Sequence, residues 1–234
     1  MPGGPDLKRY FGLGASWDLR RGTMGPVTET TRFLYELGLL KRYPRTGWLQ
    51  LGVRTPESVA DHSFRASVVA SVLASGEGAD PQRAAFLALW HDSQETRTTD
   101  LPHLAQRYVT AAPHDQITED QVRPLPAALA ALIRAAVSEY EAGQTPEARC
   151  ARDADKLEML LQAREYEAQG YRDVAPFIDS ALSRLQTATG RKLAEEALAE
   201  PPLGWLSGTG PLASGTGPAT GGTSPAGRPK SPDA

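Results

Sequence analysis

Cysteine is almost missing from this chain of 234 residues: the single Cys150 permits no intramolecular disulfide and no cysteine zinc cage. One thiol and no disulfide suit a reducing compartment, and the first 24 residues lack the apolar core of a signal peptide, so the expected location is cytoplasmic. No run approaches the roughly 18 consecutive apolar residues that a membrane span requires, so no membrane partner is expected. Excess positive charge is also lacking. With 25 Lys and Arg against 28 Asp and Glu, the net charge is −3, which argues against binding a nucleic-acid polymer by bulk charge. Histidine occurs only four times, so each ring can be weighed singly. What remains is an ordinary globular composition, 40% hydrophobic and 23% charged, enough to bury one sizeable core.

The ends are poor in core-forming residues. From 201 to 234 the chain carries 8 Gly, 7 Pro, 4 Ser and 4 Thr, a composition that reads as a disordered tail; Trp205 and Leu206 are the exceptions that could dock its start. Residues 1–25, with repeated Gly and Pro, read as loosely structured. The working domain is therefore 26–200, without an internal repeat.

Within it the apolar spacing is helical. Thr28 caps a first helix in which Phe33, Leu37 and Leu40 recur at four and three residues, ending in Lys41 and Arg42. Ser58 stands three residues before Asp61 and opens a helix stopped by Gly76 and Gly78. Asp80–Pro81 starts a third helix carrying Phe86, Leu87, Leu89 and Trp90. Residues 125–142, 146–169 (capped by Thr145) and one or two helices in 173–199 follow. No stretch alternates with period two, so the fold class is all-α.

Chemistry gathers at few positions. His62 shares a helical stripe with Ala66, Val69 and Leu73 and so faces inward. His91 and Asp92 adjoin at the end of the most apolar helix, and Asp155 lies one turn from Ala151 and Met159. A buried aspartate beside a buried imidazole is costly unless compensated, and a divalent metal compensates both. Two imidazoles and two carboxylates suit a first-row ion with room for water and substrate. Taken singly, each residue could equally be a hydrogen-bonded or ion-paired core group. Cys150 reads as an inert core thiol, and Lys156 and Glu158 as solvent-facing.

His62, His91–Asp92 and Asp155 resemble the H...HD...D signature of the HD-domain metal-dependent phosphohydrolases. Leu-Lys-Arg-Tyr-Pro-Arg-Thr-Gly-Trp at 40–48, Pro-Glu-Ser-Val-Ala-Asp-His at 56–62 and His-Asp-Ser-Gln-Glu at 91–95 are similar to the 5'-deoxynucleotidase branch, the YfbR and HDDC2-like proteins. The likeness spans residues 30–170. It implies an HD-domain helical bundle, usually dimeric, that hydrolyses deoxynucleoside 5'-monophosphates with Co, Mn or Mg. It further implies metal ligation by His62, His91, Asp92 and Asp155. Glu95 would activate or orient the attacking water, and Asp100 would contact that water or the sugar. Thr99 stands where the family has glycine. Arg45 would clamp the phosphate and Trp48 would wall the sugar or base, although here Thr46 and Gly47 intervene between them. Other readings on this scaffold are a triphosphohydrolase, a phosphodiesterase for cyclic nucleotides, a phosphatase for modified ones and a non-catalytic nucleotide-binding module. A di-iron oxygenase would need further ligands from His103 or His114, both expected in loops.

Overall fold

A computed structural model describes residues 25–208. The segment read as a loose N-terminus, up to residue 24, and the tail from 209 onward lie outside the described residues.

Local capping chemistry by Ser58, Asp80, Thr145 and Thr187 starts four of the described helices. The helix α1 is Gly25–Leu37, continued by a 3-10 turn at Gly38–Lys41; it starts before Thr28, which therefore lies inside the helix rather than capping it. The helix α2, Val59–Glu77, opens on a reciprocal box: the Ser58 hydroxyl accepts from the Asp61 amide, and the Asp61 carboxylate accepts from the Ser58 amide. It runs through Gly76 and ends at Gly78, whose φ of +71° suits the left-handed cap that glycine adopts without steric penalty. Gly76 serves close packing instead, since a methyl group there would stand 2.7 Å from the Thr189 side chain. Asp80 Oδ1 accepts from the amides of Gln82 and Arg83 to begin α3, Pro81–Trp90. Next come α4, Glu95–Thr98, α5, His114–Val122, and α6, Ala127–Ala142. The helix α7, Pro146–Ala168, is capped by Thr145.

Two helices, not one, occupy the stretch after Asp173: α8, Ala175–Leu182, and α9, Ala188–Ala199. The break is held by buried Asp153, which accepts from the amides of Gln186 and Thr187 and from the Thr187 hydroxyl. A last short turn, α10 at Trp205–Gly208, carries helical structure into the segment read as tail, with Trp205 left exposed. Among the described residues there is no strand, only an isolated bridge between Pro44 and Ser58.

The main core lies where α2, α3 and α7 meet. Leu73, Leu87, Leu157 and Leu160 fill it, while Ala70, Ala74, Ala84, Ala88, Ala151 and Ala154 let the backbones approach closely. A second cluster joins Phe33, Val122, Leu125 and Ile133, and a third joins Trp48, Val53, Tyr166 and Val174. The helix α5 replaces an expected polar loop. Its buried face is partly polar: Gln94 donates to the Thr118 hydroxyl at 2.8 Å, and Gln121 donates to the Ser93 carbonyl at 2.9 Å. Such a face has no apolar period to read.

Candidate metal centre

The three packed helices each bring one part of the site. His62 sits in the first turn of α2, His91 at the end of α3 with Asp92 in the turn that follows, and Asp155 midway along α7. His62 Nε2 lies 3.3 Å from Asp155 Oδ1 and 3.7 Å from Asp92 Oδ2; His91 Nε2 lies 3.2 Å from Asp92 Oδ2 and 4.0 Å from Asp155 Oδ1. Metal–ligand bonds of about 2.1 Å place neighbouring donors roughly 3.0–3.5 Å apart; two of these separations lie in that range, and His62, His91 and Asp92 form a group that could hold an ion, with Asp155 beside it.

The rings are held from behind. His62 Nδ1 meets Glu158, and His91 Nδ1 lies 2.6 Å from the Ala88 carbonyl, so each Nδ1 is the donor and, in the neutral ring that binds a metal, Nε2 carries the lone pair. Neither Nε2 atom has a hydrogen-bond partner, and neither has the buried Glu95 Oε2. Orphaned buried acceptors cost stability unless a ligand satisfies them. A divalent cation fits this N,O donor set.

The electrostatics agree in sign. Burial and Arg45 oppose a charge on His62, yet Asp155 and Glu158 outweigh them and push the ring up to about 10. A cation at Nε2 answers the same field and displaces that proton. Burial opposes the charges of Asp92 and Asp155 too. His91, Arg45 and His62 hold Asp92 well below the carboxylate range, and Lys156 and the two rings do so for Asp155. Glu95 is pushed up to about 9 by burial and by Asp92 and Asp100, against the pull of Arg45.

Arg45 stands inside this acidic group. Its Nη1 is 3.2 Å from Asp92 Oδ2, 3.5 Å from Asp100 Oδ1 and 4.0 Å from Glu95 Oε1. Asp100 is tied to the same loop, accepting from the Thr46 amide and, at 3.0 Å, from the Thr46 hydroxyl. Glu95 therefore reaches the centre, although the chain forms a turn at 91–94 before α4 resumes the helix. Thr99 has φ +61° and ψ 169°, a conformation largely reserved for glycine that costs another residue about 1–3 kcal/mol. Thr99→Gly is expected to raise unfolding stability by about 1 kcal/mol in urea titrations, after the greater chain entropy of glycine is subtracted. A lower midpoint would show that the threonine side chain stabilises this turn.

Three expectations need correction. Glu158 does not face solvent: it is fully buried, bonded to His62 and, at 2.9 Å, to Arg65 Nε, while Arg65 also reaches Gln162 and Glu165. It lies three residues after Asp155, so helical spacing alone already placed it on the inward face. Lys156 turns back to Asp155, its Nζ 2.6 Å from Oδ2, and lines the cavity. Trp48 borders the cavity but is only 2% exposed. It stacks on Phe177 at 4.5 Å, meets Tyr166 edge-on and donates to Glu57 at 2.9 Å, and so anchors the Arg45 loop from beneath rather than forming an open wall. His103 and His114 border the same cavity on exposed residues, outside the histidine–aspartate group; His114 opens α5 and pairs with Glu141 at 2.7 Å. Cys150 is buried, its thiol pushed up to about 11 chiefly by burial.

Glu158→Ala is expected to weaken divalent-metal affinity about 10- to 100-fold, the usual consequence of losing a residue that orients a ligating histidine. Calorimetric titration of the metal-stripped protein checks this; an unchanged dissociation constant would remove Glu158 from the site.

The family model described as HD domain matches residues 37–197. The chain belongs to the HD-domain family. This HD domain is similar to the 5'-deoxynucleotidase hdd1 of Schizosaccharomyces pombe, 32% identical over 163 residues that cover 62% of this chain and 77% of that protein. It is likewise similar to the human 5'-deoxynucleotidase HDDC2, 32% identical over 183 residues, 72% of this chain and 84% of that one. Among solved structures, a conserved hypothetical protein of Pyrococcus furiosus superposes with a TM-score of 0.60 at 31% identity, covering 73% of this chain and 99% of its own. A Pyrococcus horikoshii protein gives 0.58 at 31% identity, with 71% and 97% covered. The HD domain is all-helical here as in its relatives.

Proposed function

We propose that this HD-domain protein is a metal-dependent 5'-nucleotidase that releases phosphate from deoxynucleoside 5'-monophosphates. The observation that carries the reading is the pair of histidines, each tied at Nδ1, presenting bare Nε2 atoms to Asp92 and Asp155 beside a buried arginine. The likeness to 5'-deoxynucleotidases of yeast and human supplies the substrate class.

His62, His91, Asp92 and Asp155 hold the ion; when bound, it supplies Lewis-acid activation of a phosphoryl oxygen and of water. Two imidazoles favour a transition ion, so Co or Mn serves better than Mg. Arg45 offers the fork that grips a phosphate, with Asp92, Glu95 and Asp100 holding it in place beforehand. Glu95, whose charged form a bound cation would favour over the protonated one, accepts the proton of the attacking water through its unpartnered Oε2 and aligns that water with the phosphorus. Asp100, locked to Thr46, keeps the Arg45 loop against the centre.

The protein acts in the cytoplasm, in keeping with its single buried thiol, and as a homodimer. Phe64, Val68 and Val72, four residues apart along α2 and each at least half exposed, form an apolar stripe that a second copy covers. Sedimentation equilibrium tests this, a mass of one chain excluding it.

Phosphate release from a panel of deoxy- and ribonucleoside 5'-monophosphates tests the activity, using EDTA-stripped protein with and without Co, Mn or Mg. Turnover that returns with metal and favours deoxynucleotides is expected. No release, with metal shown to be bound, overturns the assignment.

A further inference from the structure

The cavity over the metal centre, about 850 Å³, extends well past the ligands. Its inner end is acidic, with Asp92, Glu95, Asp100 and Asp155 around Arg45. Its other wall is carbon-rich: Met159, Pro176, Phe177, Leu101 and Val109. We infer that Phe177 is the stacking platform for the nucleobase of the substrate, in a subsite built by α8 and backed by Trp48. The inference rests on the nucleotidase reading and names the residue that makes it selective for a nucleotide over a simple phosphate ester.

The geometry supports this in three ways. Phe177 is partly exposed to the cavity while its other side lies on Trp48, with ring centroids 4.5 Å apart and planes 28° apart. The platform therefore has one open face and a rigid support. Second, Gly47 leaves room for the ring: a methyl group there would stand 3.1 Å from Phe177 Cε1, tight enough to displace it. The glycine that separates Arg45 from Trp48 thus allows the phosphate-gripping loop and the base platform to touch. Third, the cavity is also lined by Ser180, one turn after Phe177 on α8, by Arg184 just beyond that helix and by Gln50, polar groups such as a base with polar edges and apolar faces needs. Stacking on an aromatic ring holds any base, since all present a π-face, so the subsite selects for a base without choosing among them.

The test compares kcat/KM for deoxynucleoside 5'-monophosphates with kcat/KM for base-free 2-deoxyribose 5-phosphate in metal-loaded wild-type, Phe177→Leu and Phe177→Tyr proteins. Phe177→Leu is expected to lower the ratio of the two about tenfold, chiefly through KM for the nucleotides, and Phe177→Tyr to preserve it. A ring that only props up Trp48 would depress both substrates alike, and an unchanged ratio in Phe177→Leu overturns the inference. If the wild-type protein hydrolyses neither compound, the nucleotidase reading fails on its own. The subsite is then read from equilibrium binding of the same nucleotides, where a weaker dissociation constant in Phe177→Leu sustains it and an equal one overturns it.

Discussion

His91→Ala and Asp92→Ala proteins are expected to lose metal-supported phosphate release by at least about a thousandfold while keeping their helical far-ultraviolet spectra. Both residues face the centre, and the main core of α2, α3 and α7 lies outside it, so the helices persist although His91 leaves its contact with Tyr140. His91 ends α3 rather than filling its interior, and Asp92 touches Arg45, His91 and His62, all of which belong to the site. Losing either removes one of four clustered groups whose positions are set by three separate helices, and among the described residues no third histidine joins them: His103 and His114 lie outside the group. Metal affinity should fall together with turnover. Full turnover in a metal-washed His91→Ala protein would disprove the assigned centre.

Glu95→Gln is the second large effect, a fall in kcat of about 10²- to 10⁴-fold, the span that a positioned general base contributes. Metal affinity should change little, because Glu95 lies beyond the four donors. Stability should hold or rise. Burial and the charges of Asp92 and Asp100 push the Glu95 carboxyl up to about 9, so at neutral pH folding makes it take up a proton, a cost that a neutral amide of the same shape avoids. Activity lost without stability lost separates a chemical role from a structural one. A Glu95→Gln protein with wild-type kcat would transfer the role of base to another group, whereas a tenfold loss of metal affinity would recast Glu95 as a ligand.

The sequence determined the helical class, three of the helix caps and the inward placement of His62, His91, Asp92 and Asp155. Ser58 with Asp61, Asp80 with Pro81, and Thr145 announce helix starts because capping is satisfied within three residues, and the structure has each of them. His62 and Asp155 were legible because a polar residue on an apolar stripe of period 3.6 must face inward. Glu158 obeyed the same rule and was misread as a surface charge, since its partner Arg65 is 93 residues away and the pair is satisfied only across two packed helices. The helix α5 was hidden for a related reason: Thr118 and Gln121 are buried by hydrogen bonds rather than by apolar contact, and hydrophobic spacing cannot register them.

Tertiary structure alone decided what surrounds the metal ligands. No local spacing sets Arg45 against Asp92, 47 residues later, or Thr46 against Asp100, 54 residues later; those contacts exist because the loop before α2 folds over the end of α3. The same packing sank Trp48 into the core and brought Phe177, from a helix near the end of the domain, to the cavity wall. Helix propensity and amphipathic period act over a few turns. A binding cavity is made where distant helices meet, and long-range packing sets that meeting.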